Sequence, residues 1–317
     1  MKTALAAAAL FMALSRTAAA ASYTSAAQGT TTADFLNLAV GARAVGMGEA
    51  YSAVADEATA MYWNPASLTR IEHRSVTAMH AMYIASSYFD YAAYGQNLGQ
   101  YGAFGAGVQY FSAGSIAETD PSGTDIGSFA PYDLAVAAGY AYTFKGVDFL
   151  SDLDGFSVGV SGKYVQSRIL VSAQTEAFDL GLLSPAYFSN RLRVSFTATN
   201  IGGNMVFEQA SEPLPSNMRL GGAFKVTRDW TISSDVVFPS NNTVYGAVGT
   251  EWWLANGGGW KLAGRAGFNS QDFGNVSGLT GVSLGFGLGY KSTVIDYAFV
   301  PFGGLGQTHR ISLSYNF

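Results

Sequence analysis

The sequence has no cysteine and only three histidines, His73, His80 and His309. The missing thiols exclude a disulfide framework and thiolate chemistry, and so few imidazoles argue against a histidine-built metal centre. No G-x-S-x-G elbow presents a nucleophile, and Asp120 and Asp125 lack the spacing of an EF-hand calcium loop. There is no basic surface run of the kind that binds nucleic acid. Charge is scarce, at 12% of residues with a net of −5, roughly half the usage of soluble domains. Beyond the first 21 residues no apolar run approaches the ~20 residues that a spanning helix needs. These absences predict a chain without catalytic residues, cofactor or metal.

What is present is glycine (38 residues), aromatic side chains (14%) and alternation. Lys2, an alanine- and leucine-rich run to Leu14, and Ala18 to Ala21 read as a basic, apolar and small-residue leader, with cleavage expected near Ala21. An exported chain with few charges, much glycine and no apolar helix is expected to cross an outer membrane as a closed barrel. The alternative is a secreted β-sandwich.

Period-2 segments begin near Ser75. In 101–110, Phe104, Ala106, Val108 and Tyr110 alternate with Ala103, Gly105, Gly107 and Gln109. In 191–199, Leu192, Val194, Phe196 and Ala198 alternate with Arg191, Arg193, Ser195, Thr197 and Thr199. Strands are predicted at 75–84, 88–98, 101–112, 130–144, 155–167, 176–184 and 190–200. Seven more are predicted at 217–227, 230–238, 243–253, 259–269, 281–290, 292–299 and 308–317. The total of fourteen is even, as single-chain bacterial barrels require. With both termini periplasmic, the longer connections 113–129, 201–216, 270–280 and 300–307 fall outside the cell. Most periplasmic turns are short, apart from 145–154, which reads as a small helix. Tyr88, Tyr91, Tyr110, Tyr140, Tyr142, Trp230, Trp252, Trp253, Trp260, Tyr290 and Tyr297 sit near strand ends, where aromatic girdles form.

The fold class expected is therefore all-β: a 14-stranded antiparallel transmembrane β-barrel with a small N-terminal hatch or plug. The division is a leader at 1–21, a periplasmic lead-in at 22–39, a hatch-like segment at 40–74 and the barrel at 75–317. The polar faces place Lys163, Arg191, Arg193, Arg219, Lys225, Lys261, Arg265 and Arg310 in the lumen with Asp235, Glu251 and Asp296. Most other acids lie in connections: Glu118, Asp120, Asp125, Asp148, Asp152, Asp154, Glu208, Glu212 and Asp272. A basic lumen can hold Glu49, Asp56 and Glu57 of the hatch, attract an anionic head group, or simply form internal ladders. Small inward residues leave room for the hatch. The hatch contacts expected are Arg43, Gly46, Met47, Gly48, Asp56, Glu57, Asn64 and Pro65, with Asp56 and Glu57 at a helix start. Met47, Met61, Tyr62 and Trp63 are candidates for an apolar pocket, or for plain packing.

The stretch GARAVGMGEAYSAVADEATAMYWNPASL, from Gly41, resembles the opening of the PorV/PorQ family, which is related to FadL-type fatty-acid channels. The matching positions are Gly41, Ala42, Arg43, Gly46, Met47, Gly48, Ala50, Ala53, Ala55, Asp56, Asn64, Pro65 and Ala66. The closing DYAFVPFGGLGQTHRISLSYNF is a second resemblance, through Asp296, Tyr297, Leu305, Gly306, His309 and Arg310. The resemblance implies a fourteen-stranded barrel behind an N-terminal hatch. It also implies an accessory or docking role in type IX-like protein secretion, with secretion-system proteins or exported cargo as partners. The FadL relationship implies the alternative, a transporter or binder of long-chain hydrophobic molecules with a lipidic ligand. The terminal Phe317 resembles the signal read by the barrel-assembly machinery, so that machinery and the lipid bilayer are further expected partners.

Overall fold

The computed structural model describes residues 23–145, 154–255, 257–271, 273 and 276–317. The leader with its cleavage point lies outside the described residues, as do Asp148, Asp152, Asp272 and most of the connection read as a helix at 145–154.

Eighteen strands follow the N-terminal segment in the described residues. They are β1 (Arg74–Met82), β2 (Tyr88–Asn97), β3 (Ala103–Ser112), β4 (Ile116–Thr119), β5 (Asp125–Phe129) and β6 (Tyr132–Thr143). Next come β7 (Ser157–Arg168), β8 (Ser172–Leu183), β9 (Leu192–Gly202), β10 (Asn204–Phe207), β11 (Ala210–Pro213) and β12 (Asn217–Lys225). The last six are β13 (Trp230–Pro239), β14 (Tyr245–Ala255), β15 (Trp260–Asn269), β16 (Val282–Tyr290), β17 (Thr293–Pro301) and β18 (Gln307–Asn316). Fourteen of them close an antiparallel barrel in the order β1-β18-β17-β16-β15-β14-β13-β12-β9-β8-β7-β6-β3-β2. Closure is by β1 on β18, from Ser75 opposite Asn316 to Met82 opposite His309. Arg74 and Phe317 exchange both backbone hydrogen bonds, at 2.9 and 3.0 Å. A closed ring leaves no strand edge unpaired, which is what lets strands span a bilayer.

The other four strands are two ribbons, β4–β5 and β10–β11, built inside connections that alternation alone left as loops. Each ribbon strand is only four or five residues long, too short for a period to register. Both ribbons lie at one end of the barrel, here the loop end; the opposite end, where β1 starts and β18 stops, is the turn end. One loop-end connection is short, because β7 and β8 run as twelve-residue strands joined by residues 169–171 alone. The expected start of β8 at 176 is therefore four residues late.

Along β7, burial alternates strictly, with Ser157, Gly159, Ser161, Lys163 and Val165 inward. Outward lie Val76, Val136, Val160, Leu220, Val248, Leu262, Leu284, Ile311 and Leu313, all solvent-exposed on the outer wall. Aromatic rings band both ends of that wall. Tyr88, Tyr110 and Tyr132 form a row at the loop end, with centroids 6.1 and 5.9 Å apart. Trp260 and Tyr290 pair at 4.6 Å at the turn end, where Trp230 and Trp252 are cross-strand neighbours. Tyr91 and Trp253 do not belong to these bands. Tyr91 is buried facing inward. Trp253 shares the inward parity of Glu251 and lies under the Arg265 guanidinium at 5.4 Å.

Residues 39–71 run through the barrel. A helical turn at Ala42–Gly46, another at Ala60–Trp63 and a 3-10 stretch at Pro65–Arg70 carry most of the path. Their side chains form the main apolar cluster, with Val40, Ala42, Val45, Met47, Tyr51, Met61, Trp63 and Leu68 buried. Residues 23–38 precede this run at the loop end. Thr32 donates to the Pro213 carbonyl at 3.1 Å, Asn241 donates to Thr31 and Asp34 at 3.0 Å, and Tyr23 meets Phe238 edge-on. Residues 23–38, within the stretch expected as a periplasmic lead-in, thus sit at the end that carries the ribbons, opposite the end where β1 begins. The chain enters the ring there, descends its bore and leaves at the turn end to start β1. Nothing in the local composition of 22–39 distinguishes one mouth from the other.

Candidate functional site

The site is the interface between the N-terminal run and the barrel wall, together with the turn-end mouth below it. Glycine-to-backbone approach builds the first half. Gly48, at φ 64°, lies against Gly267, where an added Cβ would collide with the Gly48 backbone. Gly46 meets Gly285, and Met47 meets Gly249. Across the bore, Pro65 and Ala66 press on Gly159, Asn64 on Gly181, and Met61 on Gly105 and Gly139. Without side chains on these inward positions the wall admits another chain at backbone distance.

Fixed charge and hydrogen bonds build the second half. Arg43 grips Glu251 through two bonds of 2.8 Å and Asp56 through one of 2.7 Å. Glu251 also accepts from Arg265 at 2.7 Å, and Arg265 reaches Asp296 at 2.8 Å. The result is a chain of alternating charge, Asp56–Arg43–Glu251–Arg265–Asp296, running from the segment into β14, β15 and β17. Bidentate guanidinium–carboxylate geometry is the strong form of this contact. Arg70 donates to the carbonyls of Ala53, Val54 and Ala55 at 2.6 to 3.0 Å and stands 3.6 Å from Asp56.

A second cluster joins β12 and β13 to the segment. Asp235 accepts from the Tyr51 and Ser52 amides, both at 3.2 Å, and from Arg219 at 3.1 Å. Arg219 also donates to the Glu49 carbonyl at 2.8 Å and stacks over Trp63 at 5.0 Å. Asn269 donates to the Glu49 carboxylate at 3.2 Å. On the far wall, Lys163 pairs with Asp179 at 2.9 Å and donates to Asn200 at 2.7 Å. Near the loop end Arg310 donates to the Ala39 carbonyl at 2.7 Å and to the Tyr83 hydroxyl.

Of the eleven residues expected in the lumen, Lys163, Arg219, Arg265, Arg310, Asp235, Glu251 and Asp296 are buried within it. Arg193 is half-buried, and Arg191, Lys225 and Lys261 are exposed at the turn-end mouth. Their inward parity holds, but they stand at strand termini, where the bore meets water. Asp179 belongs with the buried set and was missed. Its strand carries apolar residues on both faces, Leu183 inward and Leu180 outward, so alternation does not reveal its side. Asp56 and Glu57 do not start a helix, since Thr59 precedes the Ala60 turn and no acid lies in that turn. Asp56 is instead spent on Arg43 and Arg70, while Glu57 accepts from Tyr51 and Thr59. Asn64 does cap, accepting from the Ala66 amide at 3.0 Å at the start of the Pro65 turn.

The four residues proposed for an apolar pocket are not brought together. Met47 packs on β14 and β15 and Met61 on β3 and β6, which are opposite sides of the ring by strand order. Tyr62 and Trp63 border a cavity of only about 20 Å³ shared with Lys163, Asn200, Arg219 and other polar groups. A much larger space of about 710 Å³ opens at the turn-end mouth, between Arg43, Asp56, Arg70, Trp253, Lys261 and Phe317 among others. At the opposite end, Asp120 turns the β4–β5 ribbon. Hydrogen bonds from the Ser122 hydroxyl and from the Thr124 and Ser122 amides hold its carboxyl below the ordinary aspartate range.

The sequence profile of the family described as Type IX secretion system protein PorV matches residues 23–236, more than half of the chain. The chain belongs to the PorV family. No curated protein sequence matches it. Among solved structures, this PorV-family chain is similar to the toluene transporter TbuX of Ralstonia pickettii, at 14% identity and TM-score 0.56, over 88% of this chain and 98% of that one. It is similar to the toluene transporter TodX of Pseudomonas putida, at 12% identity and TM-score 0.56, with the same shares covered. A Pseudomonas aeruginosa FadL homologue matches at 11% identity and TM-score 0.52, over 86% and 97%. At such identities the likeness establishes the barrel fold they share. The family match begins at Tyr23 and so takes in the whole run inside the bore.

Proposed function

We propose that this protein is an outer-membrane barrel sealed by its own N-terminal segment, acting as an accessory or docking component of type IX-like protein secretion. One observation carries the reading: residues 39–71 touch all fourteen barrel strands, through close contacts with wall glycines on both sides of the bore, hydrogen bonds, and the Arg43–Glu251 ion pair on the β14 side. A bore held this way serves as a scaffold rather than a conduit. The family match supports the secretion context. The docking surface is the loop end, where the β4–β5 and β10–β11 ribbons project. Exposed apolar residues are gathered there, Ile116, Ile126, Leu170 and Val206 among them, and grouped exposed apolar side chains mark partner surfaces. The leader at 1–21 serves export of the chain, and the terminal Phe317 serves as the signal to the barrel-assembly machinery.

The second reading, transport of a hydrophobic molecule, draws on the similarity to TbuX and TodX. Purification of the membrane-inserted protein, followed by identification of what accompanies it, separates the two. Secretion translocon subunits are expected to co-purify, and to be lost when the β4–β5 and β10–β11 ribbons are shortened to tight turns. Recovery of a lipidic ligand alone contradicts the docking role.

A further inference from the structure

Arg191, Arg193, Lys225 and Arg228 gather at the turn-end mouth outside the ion pairs that hold the segment. β9 and β12 meet there in register, with Arg193 opposite Ala223. One step further, the Lys225 amide donates to the Arg191 carbonyl at 2.8 Å, so Arg191 and Lys225 are directly opposed. Like charges facing each other across a strand pair repel. Arg228 joins them from the turn between β12 and β13. Among the described residues none of Arg191, Arg193, Lys225 and Arg228 takes part in an ion pair, whereas Arg43, Arg70 and Arg265 all do. The small Ala223 side chain leaves a cavity of about 140 Å³ between them, lined also by Arg70, Asp229 and Trp253. Asp229 is the one carboxylate at this cavity outside the ion pairs already described; Asp56 and Glu251 are engaged by Arg43. Four unpaired cations against one acid, in a protein of net charge −5, is a local inversion of the overall charge.

We propose that this cavity binds a compact phosphate group, held by Arg191, Arg193, Lys225 and Arg228 at the turn-end mouth of the barrel. Three features fit that chemistry. Guanidinium forks match tetrahedral oxyanions and give up little hydration to do so. The cavity is of the size of one phosphate with its bound waters, and it opens into the larger mouth, which leaves room for whatever carries the group. A bridging dianion also converts the Arg191–Lys225 repulsion into attraction. The carrier is either a soluble phosphate or phosphate ester, or the head group of a phospholipid. The site borders the segment's own ion pairs, since Arg43, Asp56, Arg70 and Glu251 line the same cavity, and it does not depend on the secretion reading.

The test uses the full chain in nanodiscs. In discs of phosphatidylcholine, titration with inorganic phosphate is expected to give saturable heat that weakens as salt is raised. Affinity is expected to fall at least tenfold in Arg193→Gln/Lys225→Gln. In discs containing phosphatidylglycerol, a broadened phosphorus resonance that sharpens in the same variant assigns the site to a lipid head group. Should the double variant fail to insert, Arg228→Gln, in an exposed turn, carries the same readouts. Absence of both signals in the unmodified protein overturns the proposal, as does an unchanged signal in the variants. Binding of acidic peptide without phosphate overturns it too.

Discussion

Glu251 is the residue on which the buried charge chain turns. It accepts from Arg43 of the N-terminal segment and from Arg265 of β15, so neutralising it leaves two guanidinium groups facing each other without the carboxylate they share. Removing Arg43 is milder, because Glu251 keeps Arg265 and Asp56 keeps Arg70. Breaking a buried pair by removing one partner costs about 3–5 kcal/mol. Glu251→Gln is therefore expected to lose about that much stability in urea unfolding from vesicles, and Arg43→Met distinctly less. Equal losses would mean that the two arginines do not share this carboxylate. Alternation predicted the inward placement of Glu251 and Arg265, because the polar faces of their strands were plain, whereas Arg43 was expected at this interface as part of the hatch segment. What alternation did not supply was the pairing, since which inward residue meets which depends on how the segment is threaded.

At the scale of the element, the run 39–71 is fixed less by its own propensity than by the glycines opposite it. Its longest α-helical piece, Ala42–Gly46, spans five residues, far short of a helix stable by itself. Substituting Gly267 by Val is expected to displace the segment, because its Cβ would collide with Gly48. Trypsin should then cut after Arg43 or Arg70 in the inserted barrel. Gly264→Ala on the same strand is the control, as nothing lies within 4 Å of its new Cβ, and it is expected to leave the protein resistant. Cleavage of both variants alike would contradict the glycine argument. The same glycines explain what was legible at this scale. The repeating small residues on inward faces announced room for a segment, and Gly41, Gly46 and Gly48 announced a segment able to approach. The four-residue ribbon strands and the start of β8 were beyond a period-2 reading, and Tyr91 and Trp253 were misplaced because ring position near a strand end does not tell inside from outside.

For the whole molecule, the direction of threading matters most. Tyr23 to Leu38 lie among the loop-end connections, bonded to Pro213, Asn241 and Asn242. With the leader removed, the new N-terminus is expected on the same side of the membrane as the β4–β5 ribbon. An epitope tag placed before Tyr23 should be detected on intact cells together with one inserted at Gly123. Detection of the Gly123 tag alone would reverse the assignment of the lead-in. The barrel count, its closure and its polar interior followed from composition and alternation, since lipid outside and polar groups inside leave few other solutions. The course of the segment did not, because it is set by contacts between distant parts of the chain. The central claim, that this segment fills the bore, is tested most directly by single-channel conductance of the barrel lacking residues 41–66 in a planar bilayer. The account predicts conductance well above that of the intact protein; an inserted, folded barrel with unchanged conductance would contradict it.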